Sequence, residues 1–290
     1  MNDYLIVTDS TSDLTPELVE TLDITLIPME FQVDEKSYYN YPDGREIGFS
    51  AFYNLLRQEK NATTAQINFI RYTEIFEPIL KEGRDLLYIC FSSGLSGSYN
   101  SALAAAQGLR ESYPDRKVVV VDSLSASMGE GLLVYLAVQE KKKGRTIEEL
   151  EQWLMEHRCN LCHWFTVDDL NHLKRGGRVS AASAFVGTML NIKPVLHVDN
   201  EGHLIPMEKV RGRRKSLDAL VEHMEKTAID PQNQVIFISH GDCEEDAEYV
   251  AQKVRERFGI KELYINFIGP VIGSHSGPGT VALFFLGTER

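Results

Sequence analysis

Long apolar runs are missing from this chain of 290 residues. No window approaches the roughly 18 uninterrupted apolar residues of a membrane-crossing helix. The opening MNDYLIVTDS has neither the basic start nor the apolar stretch of an export signal, so a soluble, cytoplasmic protein is expected. Cysteine is scarce as well. Cys90, Cys159, Cys162 and Cys243 show no spacing of a disulfide framework, which fits a reducing compartment. Cys159-Asn160-Leu161-Cys162-His163 has the order of a haem-attachment or redox pair, but neither an export signal nor a second cysteine pair accompanies it. There Cys162, Trp164 and Thr166 alternate with His163, Phe165 and Val167, the pattern of a short strand. Positive charge is also in deficit, with 30 Lys and Arg against 42 Asp and Glu and a net charge of −12. A general basic face for a nucleic-acid backbone is therefore excluded. Internal repeats and low-complexity linkers are absent from the sequence.

What remains is an ordinary globular composition, 43% hydrophobic and 25% charged, long enough for two cores. The spacing predicts strands at 4–8, 24–33, 85–91 and 117–121, with helices opening at Thr15-Pro16 and covering about 50–60, 69–81, 99–112 and 128–142. Alternation of this kind implies a mostly parallel sheet covered on both faces, with ligands at the carboxyl ends of its strands. The second half reads differently. Helices at 147–157, 181–190, 215–226 and 244–258 are interleaved with strands at 161–167, 193–198, 204–210, 234–239, 262–267 and 280–286. The pair 193–198 and 204–210 is joined by Asp199-Asn200-Glu201-Gly202, a hairpin signal. The expected fold is α/β in two domains. Residues 1–160 are expected to form an N-terminal α/β domain, and residues 161–290 an α+β domain with a partly antiparallel sheet.

Two loops carry chemistry. In DLLYICFSSGLSGSYNSA, residues 85–102, an apolar strand ends in small hydroxylic residues and turns helical. Hydroxyls and free N–H groups at a helix start suit a small anion. The loop has no charged residue and does not match G-x-x-x-x-G-K-[ST], so a magnesium-bound polyphosphate is poorly served. A carboxylate suits it better. The second loop, IGPVIGSHSGPGT at 268–280, sets His275 among glycines and prolines, where the imidazole can donate to an anion or relay a proton. Separately, Lys209, Arg211, Arg213, Arg214 and Lys215 place five basic residues within seven, a candidate dock for an acidic or phosphate-bearing partner.

VTDSTSDL, SSGLSGSYNSA, GGRVS, NIKPVLHVDNEGHL with KVRGRRKS, and IGSHSGPGT, taken together and in order, resemble the DegV family of bacterial fatty-acid-binding proteins. The resemblance implies one long-chain fatty acid as ligand and no cofactor, with the carboxylate near the domain interface and the tail buried. It implies no catalysis by the chain itself. FakB-like members present the carboxylate to a separate ATP-dependent fatty acid kinase, which makes acyl phosphate for phospholipid synthesis. Such a carrier leaves room for transient membrane contact. The family's T-S-Q-P-S string reads Thr64-Ala65-Gln66-Ile67-Asn68 here, keeping Thr and Gln. Carried over by position, Thr64, Ser93, Ser96, Gly97 and His275 are expected around the carboxylate, and Arg178, Arg211 and Arg213 around the head group or the partner, with Arg214 of the basic cluster expected at the partner. The apolar segment AASAFVGTML suggests Ala184, Phe185, Thr188 and Met189 as tail lining.

A serine hydrolase is the competing class, with Ser96 or Ser93, His275 and Asp9 or Asp122. Against it, Gly94-Leu95-Ser96-Gly97-Ser98 puts Ser98 where G-x-S-x-G needs its second glycine. An Asp-nucleophile phosphatase fails too, because Thr11 stands where a second acid is needed.

Overall fold

A computed structural model describes residues 4–179 and 191–290. The expected helix at 181–190, with Ala184, Phe185, Thr188 and Met189, lies outside the described residues.

The described residues are mixed α/β and build three sheets. β1 (Tyr4–Asp9), β2 (Thr25–Ile27), β6 (Asp85–Cys90) and β7 (Val118–Asp122) form a wholly parallel sheet in the order β2-β1-β6-β7. β6 and β7 are buried along their whole length, as strands covered on both faces require. The strand expected at 24–33 is in fact two. Pro28 has no N–H to continue the ladder, so β2 ends at Ile27 and β3 (Met29–Val33) leaves for a second sheet with β4 (Lys36–Asn40) and β5 (Ala62–Thr64). β5 falls in what reads as a linker between α2 (Phe49–Arg57) and α3 (Phe69–Lys81), the helices that follow α1 (Pro16–Thr21). It is held there by pairing, Thr64 opposite Phe31.

The third sheet is mixed, in the order β10-β9-β8-β13-β11-β12. It comprises β8 (Leu161–Thr166), β9 (Ile192–Val198), β10 (Leu204–Arg211), β11 (Val235–His240), β12 (Glu262–Phe267) and β13 (Val281–Leu286). Only β11 and β12 pair in parallel. The outer face of this sheet is covered by Arg213–Thr227 and Glu244–Phe258, packed through Leu217, Leu220, Val250 and Val254.

The helix Met128–Lys142 packs between the parallel and the mixed sheet, touching β1 and β6 on one side and β8, β11 and β13 on the other. Its apolar residues run all round, which is why no single stripe marks it. One core therefore holds Ile6, Leu87 and Val121 together with Leu161, Phe165 and Phe284, from both sides of the expected 160/161 boundary. A second core on the far face of the parallel sheet joins α3, the helix Ser98–Ser112 and the three-stranded sheet. Among the described residues no helix is long and apolar enough to cross a membrane.

Candidate functional site

A cavity of about 460 Å³ lies where the strand-end loops of the parallel sheet meet the mixed sheet, a size usual for a small-molecule site. Most of its wall is apolar, with Phe91, Leu95, Phe165, Val198, Leu204 and Phe284 prominent. Polar groups gather where three loops converge. Thr64 ends β5, and its Oγ1 lies 2.8 Å from His275 Nε2. Gln66 lies directly over Gly97, while Ile67 N donates to Ser98 Oγ at 3.3 Å, so the 64–67 and 95–98 loops are tied together. Arg178 donates from Nε to Leu95 O at 3.3 Å, and also to Gly176 O. Thr64, Ser96, Gly97, Arg178 and His275 thus line one cavity.

His275 sits in a short helix, Pro270–Ser276, where the sequence reads as a rigid loop. Pro270 at the first helical position and Gly277 at φ 78 supply its start and stop. Gly176 covers the imidazole so closely that a Cβ there would come 2.4 Å from Nδ1. Burial, with the nearby Arg178 charge, pushes the imidazole pKa down to about 4. The ring is neutral at physiological pH. An unfolded chain takes up a proton as pH falls below 6.5, whereas the folded one resists until about 4. The contribution of His275 to stability is accordingly intact above pH 6.5 and lost as pH falls through 4. It amounts to at most roughly 1.4 kcal/mol per pH unit in that window. His275→Gln should flatten the fall of Tm in this range, and an unchanged slope would contradict the neutral ring.

Ser93 falls outside the cavity lining. It is exposed, and its N–H donates to Asp122 Oδ1 at 3.1 Å. The first half of the serine loop serves docking: Ser92 Oγ donates to Gly202 O at 2.9 Å, and at Gly94 a Cβ would come 2.8 Å from Glu201 O. Only glycine lets the β9–β10 hairpin approach so closely. The basic positions also divide. Arg178 faces the cavity, but Arg213 is committed inside the fold, donating to Asp246 Oδ2 at 2.8 Å and Gly279 O at 2.6 Å. Arg211 is exposed on β10, and Arg214 is exposed with its guanidinium 3.7 Å from the Tyr249 ring centroid.

The hydrolase constellation is not assembled. Ser96 Oγ pairs with Ser98 Oγ at 3.0 Å, and His275 with Thr64. Asp122 Oδ1 accepts from Ser93 N and Leu124 N. Asp9 is buried with Tyr88, Thr11 and Glu130. Thr11 Oγ1, with one proton to give, meets both Asp9 Oδ1 and Glu130 Oε2, so the carboxyl pair itself holds a proton. Desolvation raises the pKa of both acids. Among the described residues no cluster of His, Cys, Asp and Glu could hold a metal ion.

His163, Ser127, Gln66 and Ser276 also line the cavity, and sequence reasoning passed over them. For His163 a signal existed. The alternation that places it on the Phe165 side of β8 sends it toward the same space, where it stands opposite Phe284.

Residues 4–288 match the DegV family, described as an uncharacterised protein family. The chain belongs to the DegV family. It is 46% identical over 290 residues to a DegV domain-containing protein of Clostridium perfringens, covering 100% of this chain and 99% of that protein. Among solved structures, a DegV lipid-binding protein from Thermotoga maritima is 31% identical, with a TM-score of 0.85 and 99% of each chain covered. A DegV family protein from Thermus thermophilus, described by its fatty acid binding, is 29% identical with a TM-score of 0.87, covering 99% of this chain and 100% of that one.

Proposed function

We propose that this DegV protein binds one long-chain fatty acid, with the carboxylate at Thr64, Ser96, Gly97 and His275 and the tail along the apolar wall. The observation that carries this reading is the Thr64–His275 pair, placed in an otherwise largely apolar cavity. The fatty acid binding of the Thermus thermophilus relative supports it. A carboxylate leaving water needs several donors, each worth about 1.5–3 kcal/mol to a charged acceptor. The Thr64 and Ser96 hydroxyls, the His275 ring and the half-buried Arg178 supply them. Some fifteen methylenes at about 0.8 kcal/mol each add roughly 12 kcal/mol gross, before the costs of association. Lipid extracted from natively purified protein should contain a long-chain fatty acid at about one per chain by mass spectrometry. Protein that purifies empty and takes up no oleate would overturn the reading.

The chain is then a carrier, and the chemistry belongs to an ATP-dependent kinase that phosphorylates the held carboxylate. Arg211 and Arg214 are exposed on an otherwise acidic protein and suit the docking of such a partner. Exposed charges act chiefly on encounter and salt dependence. Arg211→Glu with Arg214→Glu should keep the lipid but slow kinase-dependent acyl phosphate formation, and the wild-type reaction should weaken at high salt. Loss of lipid from the variant, with a salt-insensitive wild-type reaction, would assign these arginines elsewhere.

A further inference from the structure

Asp13 lies far from the cavity in sequence and touches the start of two segments that build it. It follows the 3-10 turn Ser10–Ser12 in a left-handed conformation, φ 49, and is 6% exposed. Its Oδ1 accepts from Gly269 N at 2.9 Å, the residue that caps the helix Pro270–Ser276. That helix contributes Val271, Ile272, His275 and Ser276 to the cavity. Asp13 Oδ2 lies 2.6 Å from Ser127 Oγ, which in turn lies 2.9 Å from Ser239 Oγ on β11. Ser127 lines the cavity from the N-cap position of Met128–Lys142, at φ 54 and ψ −149, a conformation sparsely populated by residues other than glycine. Its hydroxyl makes no capping bond to the helix and is spent on Asp13 and Ser239. The Asp13 backbone is held as well, its carbonyl accepting from Asn266 Nδ2 at 2.8 Å. One carboxyl therefore joins the parallel-sheet half to the helix carrying His275 and to the strained corner at Ser127.

We propose that Asp13 is a positioning residue for the head-group site, fixing where the Pro270–Ser276 helix presents His275 to Thr64 and holding Ser127 at the cavity wall. The inference rests on the fatty-acid reading for its effect on binding, though not for its effect on the ring. Burial raises the Asp13 carboxyl pKa to about 8, so the carboxyl takes up a proton far more readily than an exposed aspartate. An asparagine keeps Oδ1 accepting from Gly269 N and reverses the bond to Ser127, Nδ2 donating to an Oγ that turns its own proton to Ser239 Oγ; an alanine keeps neither bond.

The test uses the full chain, with Asp13→Ala, Asp13→Asn and Ser127→Ala, and checks folding by circular dichroism. Two further quantities are read: the ring-nitrogen resonances of His275 in unliganded protein, and oleate affinity after delipidation. Asp13→Ala should shift the His275 resonances and weaken oleate binding by at least roughly tenfold, the scale of one lost hydrogen bond to a held group. Asp13→Asn should restore both. A folded Asp13→Ala protein with wild-type resonances and wild-type affinity would overturn the proposal. If Asp13→Ala does not fold, Ser127→Ala removes the Oδ2 partner alone and should still move the ring signals; unmoved signals would likewise overturn it. Wild-type protein that binds no oleate counts against the fatty-acid reading instead, and the unliganded spectra then decide the positioning role.

Discussion

Thr64→Val combined with Ser96→Ala is expected to weaken fatty-acid binding by about 3–6 kcal/mol, between roughly a hundredfold and ten-thousandfold. Both residues line the cavity, and Thr64 Oγ1 is 2.8 Å from His275 Nε2. Valine keeps the volume of threonine and removes the hydroxyl, so the packing of β5 on β3 survives while the donor is lost. Ser93→Ala serves as the contrast. Its side chain is exposed and outside the lining, so oleate affinity should be unchanged. Calorimetric titration of delipidated protein reads all three. A double variant within about threefold of wild type, or a Ser93→Ala variant that loses affinity, would move the head group elsewhere.

Arg290→Ala is expected to cost about 3–5 kcal/mol of folding stability, because this half-buried guanidinium is the donor to several carbonyls that would all lose it at once. The guanidinium donates to Leu161 O at 2.9 Å, Leu124 O at 2.9 Å, Asp199 O at 3.0 Å, Arg158 O at 2.8 Å and Ser125 Oγ at 3.2 Å. Those groups come from the loop after β7, the junction before β8, β8 itself and the β9–β10 hairpin, so one side chain ties both halves together. Burial pulls its pKa down to about 10, which still leaves it charged at neutral pH. Removing it strands several carbonyls at once. Arg290→Lys should recover little, because a single ammonium cannot span the planar fork. Thermal melts should show a drop on the order of 10 °C. A Tm within about 2 °C of wild type would mean that water replaces the guanidinium at little cost.

Much of the architecture was legible beforehand. Met128–Lys142, Glu244–Phe258 and Glu262–Phe267 lie where the sequence predicts them, and in Glu244–Phe258 the acidic first turn, the basic last turn and Gly259 at φ 67 all point the same way. The β9–β10 hairpin announced itself through Asp199-Asn200-Glu201-Gly202. Legibility failed at short elements. β5 spans only Ala62–Thr64 and owes its strand form to β3, and Pro270–Ser276 hides among glycines and prolines that read as a loop.

By itself the sequence determined the fold class and the family, because these depend on local pattern and on motifs in order. Only the tertiary structure decided which members of those motifs share a cavity. It divided SSGLSG between Ser92 and Gly94, which seat a hairpin, and Ser96 and Gly97, which line the cavity. It withdrew Arg213 into contacts with Asp246 and Gly279, and brought Thr64 to His275 across 211 residues. The physical reason is that a motif records residue types in order, whereas a binding site is set by which side chains the packing of separate elements turns toward the same space.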